Sequence, residues 1–363
     1  MVDAADSPGG DPGASRRYAW LDQARGIVAL LFVISTIMGP MGGNMLLGDR
    51  LPLGPTYLDH GYNYYKGYPP LITLIDIGQM TFMFVLGFVA YIAFTGRLAK
   101  RGPRAAWAYA ARRVGALYVL SFIACGLIYR LEGKPINWPE VLYNDIIAEL
   151  ALAALFSYVM SYFVRNAGWR ASLAVVAFVV HAFLFASHAV DQYPWFDTPL
   201  GRPKFPLGAL NLSAIAVMGT AFSQWIRMDP ADPRVGFRRR VLPVSVVALG
   251  AGYCMEWIQH SDHHDVTTAL ALISVGLSGL LLASTYAFNE AGLEIPWLEP
   301  LGKNLILVFI IGALGINRYV EALPRPFLEA HPYACLLLVG VAPLALVISI
   351  AVALDKRNIV IRL

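Results

Sequence analysis

Long apolar runs recur along this chain, at 24–47, 71–95, 113–131, 145–164, 169–188, 207–226, 241–258, 266–288, 302–320 and 333–354, with short polar segments between them. At about 1.5 Å of rise per residue, most of these runs are long enough to cross the hydrocarbon of a bilayer as a helix. The pattern predicts an all-α fold, a polytopic transmembrane helix bundle of about ten spans. The polar segments have a period of their own. The connection after the second run carries Arg97, Lys100, Arg101, Arg104, Arg112 and Arg113 and no acidic residue. The connection after the sixth carries Arg227, Arg234, Arg238, Arg239 and Arg240 against Asp229 and Asp232. Arg16 and Arg17 precede the first run, Arg165 and Arg170 bracket the loop after the fourth, and Lys356, Arg357 and Arg362 follow the last. Every second connection is therefore basic. Excess Lys and Arg marks the cytoplasmic side, so both termini are expected to be cytoplasmic. The segments 48–70, 132–144, 189–206, 259–265 and 321–332 are expected outside. The segment 289–300 belongs inside yet carries Glu290, Glu294 and Glu299. Acidic residues weigh little in orientation, and the topology stands.

Composition agrees with a membrane protein. The chain is 57% hydrophobic and only 14% charged, with mean hydropathy +0.56, too few charges to keep a soluble domain dispersed. Its net charge of +4 belongs to the basic loops and does not indicate a nucleic-acid partner. Residues 1–17, rich in Gly, Pro, Asp and Ser, read as a disordered cytoplasmic tail, and 18–363 as a single membrane domain. The first apolar run is too long for a signal-peptide core and lacks a small-residue cleavage site, so it is expected to remain as the first helix. Cys125, Cys254 and Cys335 have unrelated spacing and indicate neither a disulfide framework nor a thiolate metal site. These features are expected of a multi-pass integral membrane protein.

Ionisable side chains within a membrane are costly and mark candidate sites. Asp22 and Arg25 stand three residues apart on one face of the first helix, placed either to pair at the interface or to bind substrate. Asp76 is expected about one and a half turns inside the second helix, facing protein or a water-filled cavity. It would serve there in function or in helix-to-helix hydrogen bonding. His60, His188, His260, His263, His264 and His331 all map to the outer face, where imidazoles suit proton transfer near neutral pH. His60 opens a loop with Tyr62, Tyr64, Tyr65, Lys66 and Tyr68, residues able to stack on and hydrogen-bond a sugar, or to form an aromatic belt. The His260–Asp265 segment has the ligand types of a divalent metal site, but also the look of a solvated hairpin; no metal is expected. Lys303 and Asn304, after Gly302, would face the cytoplasmic mouth, either to dock a phosphorylated donor or to anchor and cap a helix.

Taken in order, several short motifs resemble the transmembrane acyltransferases related to heparan-alpha-glucosaminide N-acetyltransferase and their bacterial relatives. They are Leu21-Asp22-Gln23-Ala24-Arg25-Gly26, then Thr73-Leu74-Ile75-Asp76 leading through Phe82-Met83-Phe84 to Gly87, then Ala111-Arg112-Arg113. Leu212-Ser213-Ala214-Ile215 with Gly219, Thr267-Thr268 with Gly276-Leu277, Leu301-Gly302-Lys303-Asn304 and Lys356-Arg357-Asn358-Ile359 complete the series. The resemblance implies transfer of an acyl group, acetyl in the related enzymes, from cytoplasmic acyl-CoA to a glycan or lipid acceptor at the outer face. For that reaction His60 is the candidate base and Asp76 its orienting carboxylate, with Thr36 and Lys66 as candidate hydrogen-bond donors. Arg25, Arg112, Arg113, Lys303 and Asn304 would meet the coenzyme A phosphates. Thr36 stands where the family has an asparagine, and Lys66 stands where it has a histidine. A transporter or flippase of a lipid or glycan precursor, and a non-catalytic family member, therefore stay open as alternatives. The partners expected are the bilayer and the acceptor; the sequence leaves self-association open.

Overall fold

The apolar runs fold as helices, and among the described residues every regular element is helical. The computed structural model describes residues 19–42, 72–131, 146–187, 208–228, 232–263, 265–316 and 323–360, together with 133, 135, 136, 138, 141 and 319. In chain order the main helices are α1 (Ala19–Gly42), α2 (Leu74–Leu131), α3 (Ile146–Phe163), α4 (Ala167–Ala186) and α5 (Ala209–Arg227). They are followed by α6 (Leu242–Met255), α7 (Thr268–Glu290), α8 (Leu298–Lys303), α9 (Leu305–Ile310) and α10 (Ala342–Lys356). Among the described residues, six helical segments are long and apolar enough to cross a membrane: Asp76–Leu127, Ile146–Phe163, Ala167–Ala186, Ala209–Arg227, Thr268–Glu290 and Tyr333–Lys356.

Two connections expected as loops are largely helix. The basic segment 97–112 is not a loop, because charged side chains on a helix surface do nothing to stop the backbone ladder. Only Gly102 interrupts it, at φ 77° and ψ 178°, and Pro103 follows. Glycine ends the arm 74–101 with a positive φ, and proline, with its preset φ and no N–H to lose, starts the arm 103–131. The two arms fold together beyond this elbow, with Phe94 edge-on to Trp107 at 5.4 Å. The segment 227–240 likewise turns helical at Pro233–Gly236, capped by the Asp232 carboxylate, and runs through a wide π-turn at Phe237–Val241 into α6. The apolar run 302–320 is broken instead, at Asn304 between α8 and α9, and then widens into a π-turn at Ile311–Ile316.

Glycines set how closely the helices cross. A Cβ on Gly87 of α2 would fall inside the Ala216 backbone carbonyl of α5, and one on Gly219 of α5 inside the Phe84 carbonyl of α2. Gly26 of α1 lies against the Leu298 carbonyl of α8, while Gly302 of α8 lies against the Asp22 carbonyl of α1. Gly276 of α7 meets the Ser245 carbonyl of α6, and Gly252 of α6 meets the backbone of α7. Each crossing is reciprocal, one glycine from either helix, which is how apolar helices gain dispersion contact when lipid supplies no hydrophobic drive. The start of α2 meets the loop before α7 at one, histidine-bearing end, where His263 rests on the Asp76 carbonyl, and the start of α1 meets the end of α7 and the arginine-rich turn before α6 at the other, basic end. Trp20, Phe237 and Tyr286 close the basic end, their rings 4.6–5.7 Å apart.

Candidate functional site

Several residues singled out in the sequence are committed to joining helices. Asp22, nearly buried, pairs with Arg25 at 2.8 Å. Lys303 lies between Glu299 at 2.8 Å and Asp355 at 2.9 Å, tying α8 to the end of α10. Asn304 is wholly buried at the α8–α9 break, its amide donating to the Pro300 carbonyl at 3.3 Å. With Gly26 and Gly302 in backbone contact, the Leu21–Gly26 and Leu301–Asn304 motifs form one joint between α1 and α8. Thr36 falls on α1, whereas His60 and Lys66 lie outside the described residues.

Asp76 is shallower than expected. The helix begins at Leu74, so Asp76 stands in its first turn and not one and a half turns within. Its Oδ2 accepts from the Thr73 backbone N–H at 2.9 Å and from the Thr73 hydroxyl at 3.2 Å. This is the returning half of a capping box, in which an acid at the third helical position satisfies the cap residue's amide. The Thr73-Leu74-Ile75-Asp76 motif thus starts a helix. His263 rests on the same turn, with Nδ1 3.2 Å from the Asp76 carbonyl oxygen. One turn deeper, the Gln79 amide donates to the buried Glu149 carboxylate of α3 at 2.6 Å.

A cationic cluster lies at the elbow of α2. The Arg97 guanidinium sits 3.7 Å over the Tyr109 ring, and Arg113 donates to the Tyr109 hydroxyl at 2.9 Å. Tyr158 of α3, fully buried, stands beside them, its ring 6.2 Å from Tyr109 and 5.3 Å from Phe94. Arg170 of α4 lies 4.7 Å over Tyr91 on the adjoining turns of α2. Arg97, Arg113 and Arg170 meet no carboxylate among the described residues, and Arg113 Nε and the Tyr158 hydroxyl are buried without a hydrogen-bond partner. Arg112, the next residue round the helix from Arg113, points to the exposed side. Aromatic faces offset part of the cost of a half-buried guanidinium, but they do not neutralise it. Such a cluster favours an anion with several oxygens, which could meet both arginines and the phenol together.

The histidine-bearing end contains a second polar centre, built around Thr268 at the start of α7. His181 of α4 is fully buried, with Nδ1 2.9 Å from the Thr268 hydroxyl. Asn211 of α5, also fully buried, donates to the Val266 carbonyl at 2.6 Å, and Gln259 accepts from the Thr268 backbone N–H at 3.0 Å. Val266 carries a positive φ of 49°, which turns its carbonyl toward Asn211 and brings the loop into α7. Sequence reading missed His181 because it sits in an apolar run and is the one histidine of seven that does not map to a loop. The signal was present in the spacing: Ala167, Arg170, Ala174, Phe178 and His181 recur at helical intervals and form the buried face of α4. Among the described residues no three His, Cys, Asp or Glu side chains converge as a metal-binding group.

In comparison with known proteins, the chain matches no family model and no curated protein sequence.

Proposed function

We propose that this protein is a membrane-embedded acyltransferase that takes its acyl group from acyl-coenzyme A at the basic end of the bundle and passes it to a glycan or lipid acceptor at the other. The observation that carries this reading is the Arg97–Tyr109–Arg113–Tyr158 cluster, two guanidinium groups and a buried phenol with no carboxylate. Phosphate fits it in charge and in its number of acceptor oxygens. Thioester transfer is the chemistry that joins such a donor to the motif order seen in the sequence. In this reading the chain makes about ten spans in the inner membrane, with both termini and the elbow of α2 in the cytoplasm.

The donor site is tested by coenzyme A binding to the purified full-length protein. Arg113→Gln removes a charge-assisted contact worth about 1.5–3 kcal/mol, so affinity should fall roughly 10- to 100-fold. Arg112→Gln, one residue away but exposed, should leave it within about threefold of wild type. Equal effects, or none, would remove the donor site. The reaction is tested by mass spectrometry of membrane lipids and glycans with and without the protein. An acylated species supports transfer, whereas redistribution across the membrane without a mass change would point to transport.

Sidedness has its own test. Single cysteines placed in 97–112 should react with an impermeant thiol reagent only in inverted vesicles, and those in 260–265 only in intact cells. Labelling of 97–112 from outside would reverse the orientation.

A further inference from the structure

The tautomer of His181 follows from its neighbour. The Thr268 hydroxyl donates its one hydrogen to the Phe178 carbonyl at 3.1 Å, so its oxygen can only accept from the imidazole 2.9 Å away. Nδ1 therefore carries the ring hydrogen, and Nε2 keeps its lone pair. That Nε2 is buried and has no hydrogen-bond partner, and the same is true of Asn211 Oδ1 and Gln259 Nε2. All three belong to side chains anchored at Thr268 or at Val266 two residues before it. A buried polar atom left unpaired is costly, and a centre with three of them is built to receive a polar group from outside itself.

We infer that His181 Nε2 is the proton acceptor for the attacking hydroxyl or amine of the acyl acceptor, with Asn211 and Gln259 holding that group and Thr268 orienting the ring. The inference rests on the acyl-transfer reading above. As the acceptor attacks, a bond forms from its oxygen or nitrogen to the thioester carbonyl carbon, and the carbon–sulfur bond breaks. The acceptor's proton passes to Nε2 and then to the departing thiolate, leaving acylated acceptor and free coenzyme A thiol; nothing is oxidised or reduced. The placement of the two sites agrees with this. Arg170, which lies over Tyr91 six residues before Arg97 on α2, and His181 share the buried face of α4. Eleven residues separate them, about three turns or ~16 Å along the axis.

The experiment supplies radiolabelled acetyl-coenzyme A to membranes containing the full-length protein and follows label entering the lipid and glycan fractions across the neutral pH range. Coenzyme A affinity of the purified protein is measured in parallel. His181→Gln should cut transfer by about 10²-fold or more and leave coenzyme A affinity unchanged. Thr268→Val, which keeps the volume but loses the orienting hydroxyl, should slow transfer about tenfold and displace the acid limb of the pH profile. Transfer by His181→Gln within about threefold of wild type overturns the assignment and leaves the acyl-transfer reading standing. A wild-type protein that transfers no label overturns both. Should His181→Gln also lose coenzyme A binding, as a folding defect would cause, Thr268→Val decides. Slower transfer with a displaced acid limb supports the assignment, and wild-type behaviour overturns it.

Discussion

Gly87→Ala should destabilise the bundle by about 3 kcal/mol or more, and Gly219→Ala by a similar amount. A single methyl group has this effect because it meets main chain and not a side chain. The Cβ of residue 87 would overlap the Ala216 carbonyl, and that of residue 219 the Phe84 carbonyl. A side chain can change rotamer to make room, but a carbonyl moves only if its helix moves. The bundle must then open along the whole α2–α5 crossing, losing dispersion contacts that lipid does not replace. Gly115 is the control, since it lies on the same helix with nothing near its Cβ position. Gly115→Ala should be neutral or stabilise by roughly 0.5–1 kcal/mol, through helix propensity alone. Thermal or denaturant unfolding of the three variants in one detergent makes the comparison. Gly87→Ala matching Gly115→Ala would show that the crossing is looser than described, and the double variant should cost less than the sum of the two.

Arg170→Leu should cost about 3 kcal/mol or more, the second large effect, since hydrogen bonds from a charged donor are worth about 1.5–3 kcal/mol each. The side chain is fully buried and its fork fastens α4 to the loop before it and to α5. Nη1 donates to the Val164 carbonyl at 2.7 Å, and Nη2 to Gln224 at 2.6 Å and the Thr220 carbonyl at 3.2 Å. Leucine supplies none of these contacts, so α4 loses its hydrogen bonds both to the preceding loop and to α5. Arg170→Lys keeps the charge but offers one compact ammonium in place of a planar fork, so it should recover only part of the loss. Full recovery by lysine would mean that the charge itself, and not the geometry, holds α4 in place. Unfolding followed by the reactivity of Cys335, buried in the wild type, would report either outcome.

Much of this architecture is legible in the sequence. The runs 145–164, 207–226 and 266–288 coincide within a few residues with α3, α5 and α7, because an uninterrupted apolar stretch bounded by polar residues has few other solutions. A run of charge is not by itself a sign of loop. Residues 97–112 are helix apart from Gly102, and Pro233–Gly236 is helix among arginines. An apolar run counted from Leu71 puts Asp76 too deep, because the Thr73 cap starts the helix at Leu74. The candidate sites were less legible, for a different reason. Arg113 could be found as a basic residue, but its separation from Arg112 depends on which face of α2 packs against Tyr158. His181 depends on three residues from other helices and their loops, and no local spacing brings Asn211, Gln259 and Thr268 together. The motifs that carry the resemblance prove to contain glycines at helix crossings, so their order records a packing scheme as much as a chemistry.

That packing scheme also sets an order of assembly. The α6–α7 crossing joins neighbours in the chain and can close as soon as the second of the two helices is synthesised. The α2–α5 crossing must wait for two intervening helices. The joint between α1 and α8 waits longest: α1 leaves the ribosome first, yet the glycine it rests against, Gly302, arrives only after most of the protein has been made. Until then the glycine face of α1 and its Asp22–Arg25 pair have no final neighbour, and α1 is the segment most in need of a temporary one.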